Sequence, residues 1–259
     1  MKIEILGATC NVACAGPDDG RPVILVHGAA NDRDAWRDLA PALATAGLRV
    51  LAPDLPGHGL SAGKAPASIE ALADWLLAFA DAMQLAQFAV AGHSMGSLAA
   101  LELAATAGGR ITHLMLLGSA VPMPVSAALL DSARTNPDAA CRMVTTWSHT
   151  PGFFLNGGGG HGVWGAGKTL AVMRRNSPTL AGDLANCNQY GNGLVAAAAV
   201  PCPTLLLLGR RDRMTPLRAA QALQDALRHA RRVEIADCGH AMMTEKPREV
   251  AAAMIEFLN

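Results

Sequence analysis

A serine flanked by glycines, lying between a predicted strand and a predicted helix, constrains the fold of this chain more than any other feature. The segment Gly92–Gly96 reads Gly-His-Ser-Met-Gly. It follows the apolar run Phe88–Ala91 and precedes the helix-forming run Ser97–Leu103. Because glycine has no Cβ, the chain can turn sharply there and pack closely against neighbouring elements. We therefore expect Ser94 to occupy a strained strand-to-helix turn that presents its hydroxyl, with the N–H of Met95 at the start of the helix.

A histidine and an aspartate that would suit a nucleophilic serine follow two later apolar runs. Asp212 comes after the run Pro203–Gly209, and His240 comes after Val233–Ala236. The carboxyl ends of parallel strands meet at one edge of a sheet, so side chains that are distant in sequence can come together there. A serine nucleophile needs a general base and a carboxylate that orients the base. The pattern predicts that Ser94, His240 and Asp212 form one catalytic group.

Short apolar runs predict eight strands, and helices separate most of the later ones. The predicted strands are Ile3–Leu6, Cys10–Ala15, Val23–Val26, Val50–Pro53, Phe88–Ala91, His113–Leu117, Thr204–Leu208 and Val233–Ala236. This alternation is typical of an α/β fold with a mostly parallel sheet covered by helices on both faces. The first strands have no helix between them, which favours an antiparallel edge.

The alternation stops between Val121 and Val195, where methionine, tryptophan, asparagine and glycine become frequent. A segment of this length is too long for a simple connection, so we expect it to have structure of its own. The predicted division is a core of residues 1–121 and 196–259 with an insertion at residues 122–195. A glycine run within the insertion, Asn156–Gly162, is expected to be mobile.

Several further motifs accompany the serine turn along the chain. They are His27–Ala29, Asp54–Ser61, Gly209–Pro216 and Gly239–His240. Together with the serine turn, these motifs resemble the α/β-hydrolase superfamily over essentially the whole chain. The resemblance implies an α/β-hydrolase fold in which the insertion forms a helical cap. It also implies that the backbone N–H groups of Ala29 and Met95 form an oxyanion hole, and its chain order favours Asp212 over Asp237 as the acid.

By this resemblance we expect a serine hydrolase, most similar to carboxylesterases, that cleaves an ester or related acyl bond of a small, mainly apolar substrate through an acyl-enzyme. It would need no metal and no organic cofactor. Thioesters and lactones remain open as substrates. One alternative is a carbon–carbon bond hydrolase of a ring-fission dienoate, whose carboxylate Asn31 and either Arg174 or Arg175 would bind. Another is a ligand receptor on the same fold.

The substrate pocket is predicted from apolar and amide side chains near these motifs. The insertion contributes large apolar residues that would face the substrate or pack within the cap itself. The candidate substrate-binding residues are Asn31, Met123, Trp147, Trp164 and Met242.

Composition narrows the class of partner. The 259 residues include 21 Lys plus Arg and 21 Asp plus Glu, so nothing indicates a nucleic acid or an anionic membrane as a partner. Pro201 and Pro203 interrupt the apolar stretch Ala196–Leu208, and the first residues lack the pattern of a signal peptide. The 6 cysteines contain no Cys-x-x-Cys pair, which gives no support for a metal site. We expect a cytoplasmic protein that acts on a small molecule, with homo-oligomer formation left open.

Overall fold

The computed structural model describes residues 1–156 and 164–259, and the predicted glycine run therefore lies mostly outside the described residues. The described residues form an eight-stranded sheet. Its strands are β1 (Lys2–Ile5), β2 (Ala8–Ala15), β3 (Arg21–Val26), β4 (Leu48–Pro53), β5 (Phe88–His93), β6 (Ile111–Leu117), β7 (Thr204–Gly209) and β8 (Ala230–Ile235). Their order in the sheet is β1-β2-β4-β3-β5-β6-β7-β8. The strands β1 and β2 form an antiparallel edge, and the six strands β3 to β8 run parallel to one another.

The centre of the sheet explains the continuous apolar runs of the sequence. Every residue of β5 and β7 is buried, because helices cover both faces of these parallel strands. The outer strand β1 buries only one of its four residues fully. The predicted α/β fold with a mostly parallel sheet is confirmed, and most observed strands extend beyond the predicted bounds by a few residues.

Helices pack on both faces of the sheet. Leu76 of α2 and Leu101 of α3 belong to the apolar cluster on one face. Leu43 of α1 and Met254 of α12 belong to the cluster on the other face. The helices are α1 (Ala40–Thr45), α2 (Ile69–Ala82), α3 (Met95–Thr106), α4 (Ala127–Thr135), α5 (Pro137–Ser148), α6 (Pro151–Asn156), α7 (Gly165–Arg175), α8 (Ser177–Gln189), α9 (Gly193–Ala199), α10 (Gln221–Ala226), α11 (Met242–Glu245) and α12 (Pro247–Leu258).

Four of the helices between β6 and β7 share an apolar cluster of their own. Leu129 of α4, Cys141 of α5, Met173 of α7 and Leu180 of α8 are buried together, and Ala30 of the core joins this cluster. These helices therefore pack over the loop that follows β3. The domain division at residues 122–195 stays a prediction. None of the helices in the described ranges is long and apolar enough to cross a membrane.

Candidate active site

Ser94 occupies a strained turn between β5 and α3. Its φ is 53° and its ψ is −122°, a left-handed conformation that non-glycine residues rarely adopt. A Cβ on Gly92 would lie 2.1 Å from Gly96 O, and a Cβ on Gly96 would lie 2.4 Å from His27 O. Both neighbours are backbone atoms, which cannot move aside. The two glycines therefore allow β5, α3 and the loop after β3 to approach closely around the serine.

His240 and Asp212 form a buried hydrogen-bonded pair. His240 Nδ1 lies 2.7 Å from Asp212 Oδ2, and the other carboxylate oxygen accepts from the N–H groups of Met214 and Thr215, each at 2.8 Å. Although burial raises the pKa of the Asp212 carboxyl, the charge of His240 and the hydrogen bonds from His240 and Thr215 bring it below its ordinary value. This carboxylate can hold a proton on Nδ1 and leave Nε2 able to accept one.

Asp237, the competing acid, lies outside this arrangement. Its side chain is 71% exposed and forms an ion pair with Arg211 at 2.8 Å. The hydrogen bonds of the described residues therefore join His240 to Asp212 and not to Asp237. No hydrogen bond joins Ser94 Oγ to His240 in the described structure, but the two residues line the same two cavities.

His93, the residue before Ser94, supports the loop of His240. His93 Nε2 donates to His240 O at 2.8 Å, and the two rings lie 4.7 Å apart between centroids. Burial and the nearby His240 lower the pKa of His93 to about 3, so its ring is neutral. His93 Nδ1 has no hydrogen-bond partner among the described residues. The hydrogen bond therefore ties the turn that carries Ser94 to the loop that carries His240.

The candidate oxyanion donors are the N–H groups of Ala29 and Met95. Leu55 N donates to His27 Nε2 at 3.1 Å, so the proton of this ring is on Nδ1, which donates to Gly28 O at 2.9 Å. Gly28 O and Ala29 N belong to one peptide group and point in opposite directions. The bond from His27 therefore directs the N–H of Ala29 away from His27. Met95 is the first residue of α3, where an N–H has no partner within the helix.

Two cavities meet at Ser94 and His240. The larger has a volume of about 280 Å³ and extends past the loop after β3 toward α7, with charged side chains among its lining residues. The smaller has a volume of about 210 Å³ and is mainly apolar. Ala29, Leu184 and Met214 line both cavities. A substrate bound across Ser94 would therefore place a different group in each cavity.

The structure places three of the five predicted pocket residues in these cavities. Met123 and Trp147 line the smaller cavity, and Asn31 lines the larger. The expectation for Met242 is corrected, because its side chain is fully buried in the core beside α12 while Met243 lines the larger cavity. The expectation that Trp164 lines the substrate pocket is also corrected.

Trp164 is 47% exposed and lies outside both cavities, where its ring packs edge-on against Phe154. Sequence reasoning missed Leu184 and Met214 as lining residues. Nothing in a helical run or a turn indicates which of its apolar side chains reaches a cavity.

The arginines proposed for a dienoate carboxylate are paired with carboxylates of the protein. Arg174 Nε lies 2.6 Å from Asp138. Arg175 bonds both oxygens of Asp32, at 2.6 and 2.8 Å. Arg213 lines the smaller cavity, and it forms no ion pair with a carboxylate among the described residues. Sequence reasoning had not singled out Arg213.

The chain is similar to known proteins over most of its length. The model of the Alpha/beta hydrolase family matches residues 23–253. The chain belongs to the alpha/beta hydrolase family. This hydrolase is 32% identical over 249 residues to a pimeloyl-[acyl-carrier protein] methyl ester esterase from Aromatoleum aromaticum, covering 88% of this chain and 94% of that protein.

Two further relatives cover nearly the full length of this hydrolase. A 2-hydroxymuconate semialdehyde hydrolase from Pseudomonas sp. strain CF600 is 26% identical, with coverage of 98% of this chain and 93% of that one. The structure of a thermophilic esterase from Thermogutta terrifontis superposes with a TM-score of 0.86 at 25% identity, with coverage of 100% of this chain and 97% of that chain. The relatives are named as two esterases and a semialdehyde hydrolase, so their names do not point to one common substrate.

Proposed function

We propose that this hydrolase cleaves a carboxylic ester of a small, mainly apolar substrate through an acyl-enzyme on Ser94. The observation that carries the proposal is the position of the His240–Asp212 pair. Its hydrogen bond of 2.7 Å lies beside a serine in a strained turn, and serine and histidine line the same cavities. A serine, a base and an orienting carboxylate are the groups that nucleophilic acyl transfer requires.

Each step follows from these side chains. Ser94 Oγ attacks the acyl carbon while His240 Nε2 takes its proton, and the carbonyl oxygen becomes an oxyanion held by the N–H groups of Ala29 and Met95. The tetrahedral intermediate expels the alcohol, which receives the proton from His240. Water then attacks the acyl-enzyme with His240 again as base. The acid leaves and the Ser94 hydroxyl is restored, so one water is consumed for each ester cleaved.

The smaller cavity supports a small apolar acyl group. Met123, Trp147, Leu184 and Val125 line it. Its volume of about 210 Å³ is below the range of about 300–1,000 Å³ that is usual for sites of drug-sized ligands. The similarity to a methyl ester esterase over most of both chains also favours an ester as the substrate.

Replacement of Ser94 by Ala tests the proposal. Hydrolysis of an aryl ester should fall by at least about a thousandfold, because only binding and oxyanion stabilisation remain. Wild-type protein should also be labelled at Ser94 by an aryl fluorophosphonate, as judged by mass spectrometry of the peptide. A folded Ser94→Ala protein that retains activity would refute the nucleophile assignment. Absence of multiple turnover in the wild type on all acyl substrates would favour a ligand receptor.

A carbon–carbon bond hydrolase is the second candidate, and its support is the full-length similarity to 2-hydroxymuconate semialdehyde hydrolase. Arg174 and Arg175 are ion-paired, and so is Arg37 of the larger cavity. Among the described residues, Arg213 is the cavity arginine with no carboxylate partner, and it is available to bind a substrate carboxylate. A steady-state panel of aryl esters, acyl thioesters and a ring-fission dienoate separates the candidates. We expect the ester to have the highest kcat/KM. The dienoate ranking first, with a selective loss in Arg213→Gln and none in the control Arg174→Gln, would overturn the ester proposal.

A further inference from the structure

A carboxylate from α8 reaches the loop that carries Ala29. Asp183 Oδ2 accepts a hydrogen bond of 2.8 Å from the N–H of Ala30, the residue after the candidate oxyanion donor. The Asp183 side chain is 3% exposed, so water does not compete for this bond. The two residues are 153 positions apart in the chain. We infer that Asp183 is a positioning residue that holds the oxyanion hole in its active geometry, an inference that rests on the proposed function.

The backbone around Ala29 requires such support. Ala30 has a φ of 47°, in the left-handed region that is unfavourable for a residue with a Cβ. The peptide group between Ala29 and Ala30 is held at both ends: Asn31 Nδ2 donates to its oxygen at 3.0 Å, and its N–H donates to Asp183. Rotation of this peptide group would turn the adjoining one, which carries the N–H of Ala29. Asp183 therefore stabilises a strained loop at the position that sets the direction of the oxyanion donor.

A buried histidine balances the charge of Asp183. His58 Nε2 lies 2.9 Å from Asp183 Oδ2, and His58 Nδ1 lies 3.0 Å from Pro56 O. Pro56 O can only accept, so Nδ1 carries a proton. Although burial lowers the pKa of His58, the hydrogen bond and the charge of Asp183 bring it above its ordinary value, which favours the charged ring. Thr179 Oγ1 lies 3.0 Å from the same carboxylate oxygen and 2.9 Å from His58 Nε2. An unbalanced carboxylate beside the oxyanion hole would oppose the negative charge that develops there, and His58 offsets that repulsion.

Substitutions of Asp183 separate this role from a general contribution of α8 to packing. In Asp183→Asn the amide oxygen can replace Oδ2 and accept from Ala30, whereas Asp183→Ala removes the acceptor. Asn186→Ala is the matched control, because Asn186 lies one turn further along α8 and donates at 2.9 Å to Pro66 O in the core, away from the oxyanion loop.

The readout is the rate at which an aryl fluorophosphonate labels Ser94, since the phosphoryl oxygen uses the same oxyanion donors as an ester and the natural substrate need not be known. Loss of one oxyanion donor slows comparable enzymes by about 10²–10³. Because the donor is misplaced and not removed, we expect Asp183→Ala to label at least about tenfold more slowly and to lower kcat on an aryl ester with KM little changed. Asp183→Asn should stay within about threefold of wild type, and Asn186→Ala within about twofold.

Circular dichroism and thermal unfolding check that each variant is folded. If Asp183→Ala does not fold, Asp183→Glu replaces it: the charge partner of His58 is kept but the acceptor is displaced by a methylene group, and labelling should slow at least about fivefold. The inference would be overturned if Asp183→Ala were labelled at the wild-type rate, or if Asn186→Ala were slowed as much as Asp183→Ala. Either result would leave the proposed function intact. If wild-type Ser94 is not labelled at all, the proposed function itself fails.

Discussion

The hydrogen bonds of Asp212 predict how Asp212→Asn would inactivate the enzyme. Oδ1 accepts from two backbone N–H groups, of Met214 and Thr215, so an asparagine must place its carbonyl oxygen there. The amide nitrogen is then forced into the position of Oδ2, 2.7 Å from His240 Nδ1. An N–H donor at that position stabilises the tautomer with its proton on Nε2. That tautomer cannot accept the proton of Ser94.

The expected loss in kcat is about a thousandfold to ten-thousandfold, which corresponds to about 4–5.5 kcal/mol in activation free energy. The assay is steady-state hydrolysis of an aryl ester by Asp212→Asn, with Asp237→Asn as the matched control. Since Asp237 is exposed and forms its ion pair with Arg211, the control should keep wild-type kcat within about twofold. A folded Asp212→Asn protein within tenfold of wild type, or a larger loss in Asp237→Asn, would refute the reasoning.

Three further predictions concern stability and the pocket. Gly96→Ala should fail to give folded protein at 37 °C, measured by circular dichroism, because its Cβ would lie 2.4 Å from two backbone oxygens; a native melting curve would contradict this. Burial raises the pKa of Asp32, but hydrogen bonds from Arg175 and Asn176 lower it below its ordinary value, so its stabilising contribution is present above about pH 4 and is lost as the pH falls through the lowered pKa. Asp32→Asn should therefore lose less Tm than wild type between pH 5 and about pH 3, and an equal loss would argue against this pair. Trp164→Ala should leave kcat/KM for an aryl ester within about twofold, whereas a selective rise in KM would place Trp164 in the pocket.

Polar contacts outside the recognised motifs were not predictable from the sequence. Asp183 lies on a helix, where an acidic residue is usually solvated, and only the packing of α8 against the loop after β3 brings it to Ala30 N. The same holds for Arg175. An arginine near the end of a helix is usually solvated, but the fold places Asp32 and Asp34 within hydrogen-bond distance of Arg175.

Local patterns by themselves determined the serine turn and the sheet. Close packing around Ser94 requires residues without a Cβ at Gly92 and Gly96, and this requirement is visible within five consecutive residues. Buried strands are equally local, because a short apolar run bounded by proline or glycine is sufficient to indicate one. The chain order predicted Ser94, Asp212 and His240 as one group. In the fold, Ser94 and His240 line the same cavities, and Asp212 is hydrogen-bonded to His240.

Only the tertiary structure decided which neighbour faces the site. Met242 and Met243 are adjacent and chemically identical, yet one is buried in the core beside α12 and the other lines the larger cavity. Their identities carry no information about direction, since this depends on the angle at which α11 packs against the sheet. That angle is set by many weak contacts between residues far apart in the chain. Strand and turn positions are therefore local properties, whereas cavity walls and buried ion pairs exist only after the elements have packed.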